Sequence, residues 1–197
     1  ILNWNDSSAT IRCCESLLQA FDADGKRDSS YACYLVDNGS DAKHFSTLQD
    51  WCETQNRDTI KLIANRANLG YASGMNAGIY HALEVNPDYI WLLNNDTEIE
   101  RNAISALLDF SLKSQNIVVT GATVIDQGSG TTQTAGGFRY YPLLSYNRPL
   151  MAGLSFDEIS QARNQTPDYI NGAAMWLRGD FVRRIGGLPS EHFLYFE

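Results

Sequence analysis

Tyr89–Asp96 reads YIWLLNND, a run of strand-forming, mostly apolar residues from Tyr89 to Leu93 that stops on two amides and a carboxylate. An apolar run without polar alternation is the pattern of a parallel strand covered on both faces. In open α/β sheets ligands bind outside the carboxyl ends of such strands. Oxygen ligands at Asn94, Asn95 and Asp96 would stand at that edge, and Asp96 is the first candidate for a contact to a metal-bound diphosphate. The same residues also suit a plain turn, in which Asn95, Asp96 and Thr97 cap the next helix. On this octapeptide alone the two readings stand side by side.

Upstream, strand and helix signals alternate, which predicts a parallel sheet flanked by helices. Residues 1–5 read as a first strand. Asp6, Ser7 and Ser8 offer cap side chains to a helix with Ile11, Cys14, Leu18 and Phe21 on one face. Residues 31–36 form the second predicted strand, which runs into the turn-rich Asp37-Asn38-Gly39-Ser40. Phe45, Leu48, Trp51 and Cys52 mark a second helix, and residues 59–63 a third strand. Between that strand and Tyr89 lies NRANLGYASGMNAGIYHAL, residues 65–83. Gly70, Gly74 and Gly78 recur there at one-turn spacing, which permits close approach of a backbone or a ligand. Tight packing on the sheet accounts equally for Gly74 and Gly78, whereas Gly70 and Asn76 are read as facing a ligand.

Downstream, a helix is predicted over residues 101–113, with Ile104, Leu107, Leu108 and Ser111 on one side, then a strand over 117–124. Residues 128–137 read as loop and short strand, and residues 140–167 as an aperiodic, aromatic-rich stretch that could shape a substrate surface or lid. A strand over residues 169–177, a short helix over 179–185 and a Gly186-Gly187 stop complete the pattern.

The chain has 197 residues, 44% of them hydrophobic, enough for one substantial core. One domain spanning residues 1–197 is expected. A formal charge of -8 argues against a nucleic-acid binder, since phosphate-backbone affinity rests on clustered Lys and Arg. An anionic ligand would need local help from a metal ion or from backbone amides. Cys13, Cys14, Cys33 and Cys52 form no zinc or disulfide spacing and read as reduced thiols of a cytoplasmic protein. His44, His81 and His192 form no metal motif. No apolar stretch is long enough to span a bilayer. Ile1 stands inside a predicted strand and Glu197 directly after an aromatic run, so both ends are expected to be cut.

Four segments, in order, carry a resemblance: LNWN from Leu2, VDNGS from Val36, LLNND from Leu92, and NGAAMW from Asn171 followed by GGLPSEHFLYFE. Together they resemble glycosyltransferase family 2 over essentially the whole chain. The segment around NLGYASGMN is similar to bacterial rhamnosyltransferase-like sugar transferases. The resemblance implies a GT-A fold, a Rossmann-like mixed and mostly parallel sheet flanked by helices. It also implies an inverting transfer of rhamnose or another hexose from a dTDP- or UDP-linked sugar to a glycan or lipid-linked acceptor. Such a reaction must hold the nucleoside, neutralise the departing diphosphate and deprotonate the attacking hydroxyl.

By the same resemblance, Asn3, Trp4, Asp37, Gly70, Asn76 and Asn95 would serve the nucleotide, and Asp37 would accept from base or ribose. An Asx-turn is the plain alternative for Asp37. The family's Asp-x-Asp motif falls on Asn94, Asn95 and Asp96, so Asn94 and Asp96 would hold Mg²⁺ or Mn²⁺ with an amide in the first position. One carboxylate plus diphosphate oxygens and waters suffices for such a cation. Asn171, Gly172 and Ala173 would lie near the donor sugar or acceptor, or merely begin a strand. Glu197 would open the family's Glu-Asp pair, whose Asp is the expected base. Peripheral contact with the inner face of a membrane, through segments outside this chain, is a further implication.

Other classes fit less well. A dinucleotide-dependent oxidoreductase would want GxGxxG after the first strand, where this chain has NWNDSS. There is no Walker A sequence, and no Gly-rich, Arg-containing loop of a nucleotidyltransferase. The competing reading is a non-catalytic domain that binds a nucleotide sugar or glycan within a larger assembly.

Overall fold

The computed structural model describes residues 1–23, 30–162, 165–191 and 193. In chain order the elements are β1 (Leu2–Asn3), α1 (Ser7–Ala23), β2 (Cys33–Asp37), α2 (Ala42–Gln55), β3 (Ile60–Ala64), α3 (Tyr71–Glu84), β4 (Tyr89–Leu93) and α4 (Ala103–Lys113). There follow β5 (Val119–Gly121), β6 (Thr123–Ile125), β7 (Thr132–Ala135), β8 (Gly137–Tyr141), β9 (Tyr146–Pro149), α5 (Phe156–Ser160), β10 (Tyr169–Ile170), β11 (Ala174–Arg178) and α6 (Gly179–Ile185).

β1 pairs with β2, and β2 with β3, in parallel. A parallel bridge between Leu2 and Asn94 joins β1 to the end of β4. β11 lies antiparallel to β4 on one side and to β5 on the other. The sheet therefore runs β3-β2-β1-β4-β11-β5, with β11 alone reversed. It is the mixed, mostly parallel sheet that the alternation predicts.

The unbroken apolar run of β4 follows from burial of both faces, since successive residues of a strand point to opposite sides. Leu93 joins Leu35, Leu17, Leu18 and Ile104 in a core under α1 and α4. Ile90 and Leu92 join Met75, Ile79, Met175 and Val182 in a second core under α3 and α6. Gly74 and Gly78 let α3 lie close to the sheet: a Cβ at Gly74 would sit 2.7 Å from the Leu2 side chain, and one at Gly78 3.0 Å from Val36. Packing is the role the structure gives these two.

Three predicted strands differ from the observed ones. The first shortens to Leu2–Asn3, because the backbone turns at Asn5, where φ is 53°. The strand over 117–124 is two strands serving two sheets: β5 pairs with β11, and β6 with β7. A Cβ at Gly121 would run into the Gly136 carbonyl, so the crossing of the two sheets requires glycine there. The strand over 169–177 breaks at Asn171, whose Oδ1 accepts from Ala173 N at 3.1 Å in an Asx-turn. β10 then pairs with β8, whereas β11 enters the main sheet. Within 140–167 the aromatic stretch is ordered as the β8–β9 hairpin and as α5, which begins on a Ser155/Glu158 capping box. No described helix is long and apolar enough to cross a membrane.

Candidate functional site

The site is built where β1, β2 and β4 end. Asn3, the last residue of β1, has no exposed surface and its amide is fully engaged. Its Nδ2 donates to Asp37 Oδ1 at 2.8 Å and to Ser40 Oγ at 3.0 Å, and its Oδ1 accepts from Thr10 Oγ1 at 2.7 Å. Thr10 Oγ1 in turn accepts from Asn95 Nδ2 at 3.2 Å. A continuous relay, Asp37–Asn3–Thr10–Asn95, thus ties the tips of three strands to the first turns of α1. Asp37 is 2% exposed, and its second oxygen accepts from Ser40 N at 3.0 Å.

Asn38 performs a second fixation. Its Oδ1 accepts from Asn65 Nδ2 and Leu69 N, and its Nδ2 donates to Asn68 Oδ1 and the Gly70 carbonyl. That uses the amide's whole capacity and folds the loop after β3 onto the tip of β2. At Gly70, φ is 82°, and a Cβ would run into the Phe193 carbonyl, which accepts from Tyr71 N at 2.9 Å. Asn76 is 5% exposed and clamps Leu188, donating to its carbonyl at 2.9 Å and accepting from its N–H at 2.8 Å. Gly70 and Asn76 therefore touch the segment after α6, and both polar atoms of Asn76 serve that contact.

Asn94 N donates to the Ala173 carbonyl at 2.9 Å, and Tyr71 Oη donates to the Gly172 carbonyl at 2.7 Å. The turn at 171–173 is thereby held against the end of β4 and the start of α3. The Asn94 carbonyl accepts from Thr97 Oγ1 at 2.7 Å, closing the turn that the sequence allows at this point. Cys13 supports it from behind, 3.5 Å from that carbonyl, and burial pushes its thiol up, so that it stays uncharged. Asp96 is exposed, and among the described residues neither its carboxylate nor the Asn94 amide has a side-chain hydrogen bond. The backbone of LLNND makes the turn, but it does not cap the next helix, which begins only at Ala103 with Asn102 before it.

Asp96 lines a shallow cleft of about 110 Å³ with Arg12, Glu98 and Gln127. Arg12 is exposed and has no ion pair among the described residues, so a cation stands beside the free carboxylate. Trp4, 55% exposed, projects from the end of β1. Glu197 lies outside the described residues. A cavity of about 510 Å³ lies elsewhere: Ile1, Tyr31, Pro87 and Tyr89 line it at the amino ends of the strands, and none of the site groups above does.

No group of three or more His, Cys, Asp or Glu among the described residues could hold a metal by itself. The available donors are the Asp96 carboxylate and the Asn94 amide, hard oxygens that suit Mg²⁺ or Mn²⁺ shared with phosphate and water. Arg12, Thr10 and Asn38 were not singled out by sequence reasoning. Thr10 and Arg12 sit inside a helical pattern, and only the folding of α1 across the strand tips brings them to the site.

A family model described as "Glycosyl transferase family 2" matches residues 1–183. The chain belongs to glycosyl transferase family 2. Solved structures agree on the fold. A mannosyltransferase from Pyrobaculum calidifontis, solved with GDP-Man and Mn²⁺, superposes with TM-score 0.63 at 13% identity over 96% of this chain and 46% of that one. TarS 1-349 of S. aureus gives 0.56 at 16% identity over 96% and 49% of the two chains. Its complex with UDP gives 0.60 at 15% identity, over 98% and 49%. The family-2 chain thus has a GT-A fold and spans just under half the length of these structures. No curated protein matches it in sequence.

Proposed function

We propose that this family-2 chain is one GT-A domain of an inverting, metal-dependent sugar transferase. It uses a dTDP- or UDP-linked rhamnose or other hexose and delivers it to a glycan or lipid-linked acceptor at the cytoplasmic face of a membrane. Residues 1–97 form its nucleotide half and 98–197 its donor-sugar and acceptor half. The observation that carries this reading is the relay Asp37–Asn3–Thr10–Asn95, which ties the tips of β1, β2 and β4 together. GDP-Man with Mn²⁺ and UDP in the structurally similar proteins support a nucleotide-sugar ligand.

In this reading Asp37 presents its carboxylate to the nucleoside, held in place by Asn3 and the Ser40 amide. Trp4 offers an exposed ring for stacking on the base. Asn3 acts by positioning, since its amide is committed to the relay, whereas Asn95 gives only its Nδ2 to the relay and keeps Oδ1 for the nucleotide. Asp96 and the Asn94 amide would hold Mg²⁺ or Mn²⁺, which supplies positive charge to the departing diphosphate. Arg12 adds a cation to the same cleft, and preorganised charge of this kind stabilises the separated charges of the transition state. Gly172 and Ala173, fixed by Tyr71 and Asn94, border the donor sugar together with Asn171. Gly70 and Asn76 hold the segment after α6.

Titration calorimetry with UDP and dTDP, with and without Mn²⁺, tests the reading, together with a thermal-shift panel of nucleotide sugars. A ligand selective for the folded form raises the melting temperature. Equal nucleotide affinity with and without metal would contradict the metal-dependent site.

A further inference from the structure

The β8–β9 hairpin extends from the molecule with every residue from Tyr140 to Arg148 exposed. Its sequence there, YYPLLSYN before Arg148, contains no charged side chain, in a chain that is 19% charged. Leu143 is fully exposed and Leu144 75% exposed at the apex. Next come three tyrosines, Tyr140, Tyr141 and Tyr146, exposed by 45%, 40% and 53%. Behind them Arg139 and Arg148 stand opposite each other in the register of the two strands.

The hairpin is a rigid arm. Tyr141 and Tyr146 stack at 6.3 Å, and Asp168 anchors its base, accepting from Arg139 at 3.1 Å and from Tyr140 N at 2.8 Å. Arg148 has no ion pair among the described residues. Ordering two leucines in water at the tip of an arm has no stabilising return within the chain itself.

We propose that this hairpin docks into the interface of an anionic lipid bilayer. The order from apex to base is that of the bilayer from inside to outside. Leucines meet the acyl boundary, tyrosines the headgroup level where amphipathic rings collect, and Arg148 the phosphates. Arg148 provides the charge complementarity, because the net charge of the chain would otherwise oppose an anionic surface. The arm also has a mechanical link to the strand tips. β8 pairs with β10, and β10 runs directly into the turn at 171–173 that is bonded to Asn94.

This inference does not rest on the sugar-transfer reading. Sedimentation of the chain with vesicles of phosphatidylcholine alone, and with phosphatidylglycerol added, tests it. Wild type is expected to bind the anionic vesicles and to bind the zwitterionic ones about fivefold more weakly. Leu143→Asp with Leu144→Asp should weaken binding by about tenfold or more, and Arg148→Glu should remove the preference for phosphatidylglycerol. All three positions are exposed, so an unchanged melting temperature certifies the fold. Absence of vesicle binding, or binding indifferent to the leucines, overturns the proposal. So does light scattering that shows a dimer broken by the leucine substitutions, which would assign the apex to a second copy of the chain.

Discussion

Asn3 Nδ2 lies 2.8 Å from Asp37 Oδ1, and neither side chain has more than 2% of its surface exposed. A buried carboxylate is tolerable only when its acceptors are occupied. Asn3→Ala removes that donor and is expected to cost about 1–3 kcal/mol in chemical unfolding. Thr10→Val keeps the shape but cuts the relay to Asn95. It should lower nucleotide affinity in calorimetry even though Thr10 itself would not contact the ligand. Unchanged affinity in Thr10→Val would separate the relay from binding.

Asp96 makes the opposite prediction. It is exposed and makes no side-chain hydrogen bond among the described residues, so Asp96→Ala should leave stability within about 0.5 kcal/mol of wild type. The same substitution should abolish the gain in nucleotide affinity on adding Mn²⁺. Calorimetric isotherms of the variant with and without metal should then coincide; a persisting gain would place the metal elsewhere.

Asn76 clamps the Leu188 backbone through both of its polar atoms. Asn76→Ala is expected to free the chain from Gly187 onward and to cost roughly 1–3 kcal/mol. Asn76→Asp should do no better, because a carboxylate oxygen would face the Leu188 carbonyl. Hydrogen exchange at the Leu188 amide reads the effect directly: it should quicken in both variants while exchange in β2 stays slow.

Burial pushes the Cys52 thiol up to about 11, against about 8.5 in an unfolded chain. Between those values the folded state holds a proton that the unfolded state has lost, so stability falls as pH rises. The contribution is complete below about pH 8.5 and disappears as pH passes through 11. Melting temperatures from pH 8 to 11 should therefore decline less steeply in Cys52→Ala than in wild type. Parallel slopes would contradict the assignment.

Much of the fold was legible because it rests on periodicity. Cys14 and Leu18 at helical spacing, the helix over 179–185, and the apolar run of β4 each express a burial pattern that local sequence carries. The errors lie where one run of strand-forming residues serves two sheets, at Gly121 and at Asn171. A β-propensity does not say which neighbour a strand will pair with. The same limit applies to the site. Asp96 stood out because its carboxylate ends an apolar run, whereas Thr10 and Arg12 lay unmarked inside a helix.

By itself the sequence determined the α/β class and the strand end that carries Asp96, because these follow from hydrophobic period and from residue types at turns, and it carried the family through the likeness of four ordered segments. Only the tertiary structure decided which polar side chains look outward and which are consumed in holding the cleft. Asn3 and Asn76 are amides like Asn94, yet each has both its polar atoms paired and is buried. Hydrogen bonds between residues 34 and 112 positions apart arise from chain packing, and no local pattern encodes them.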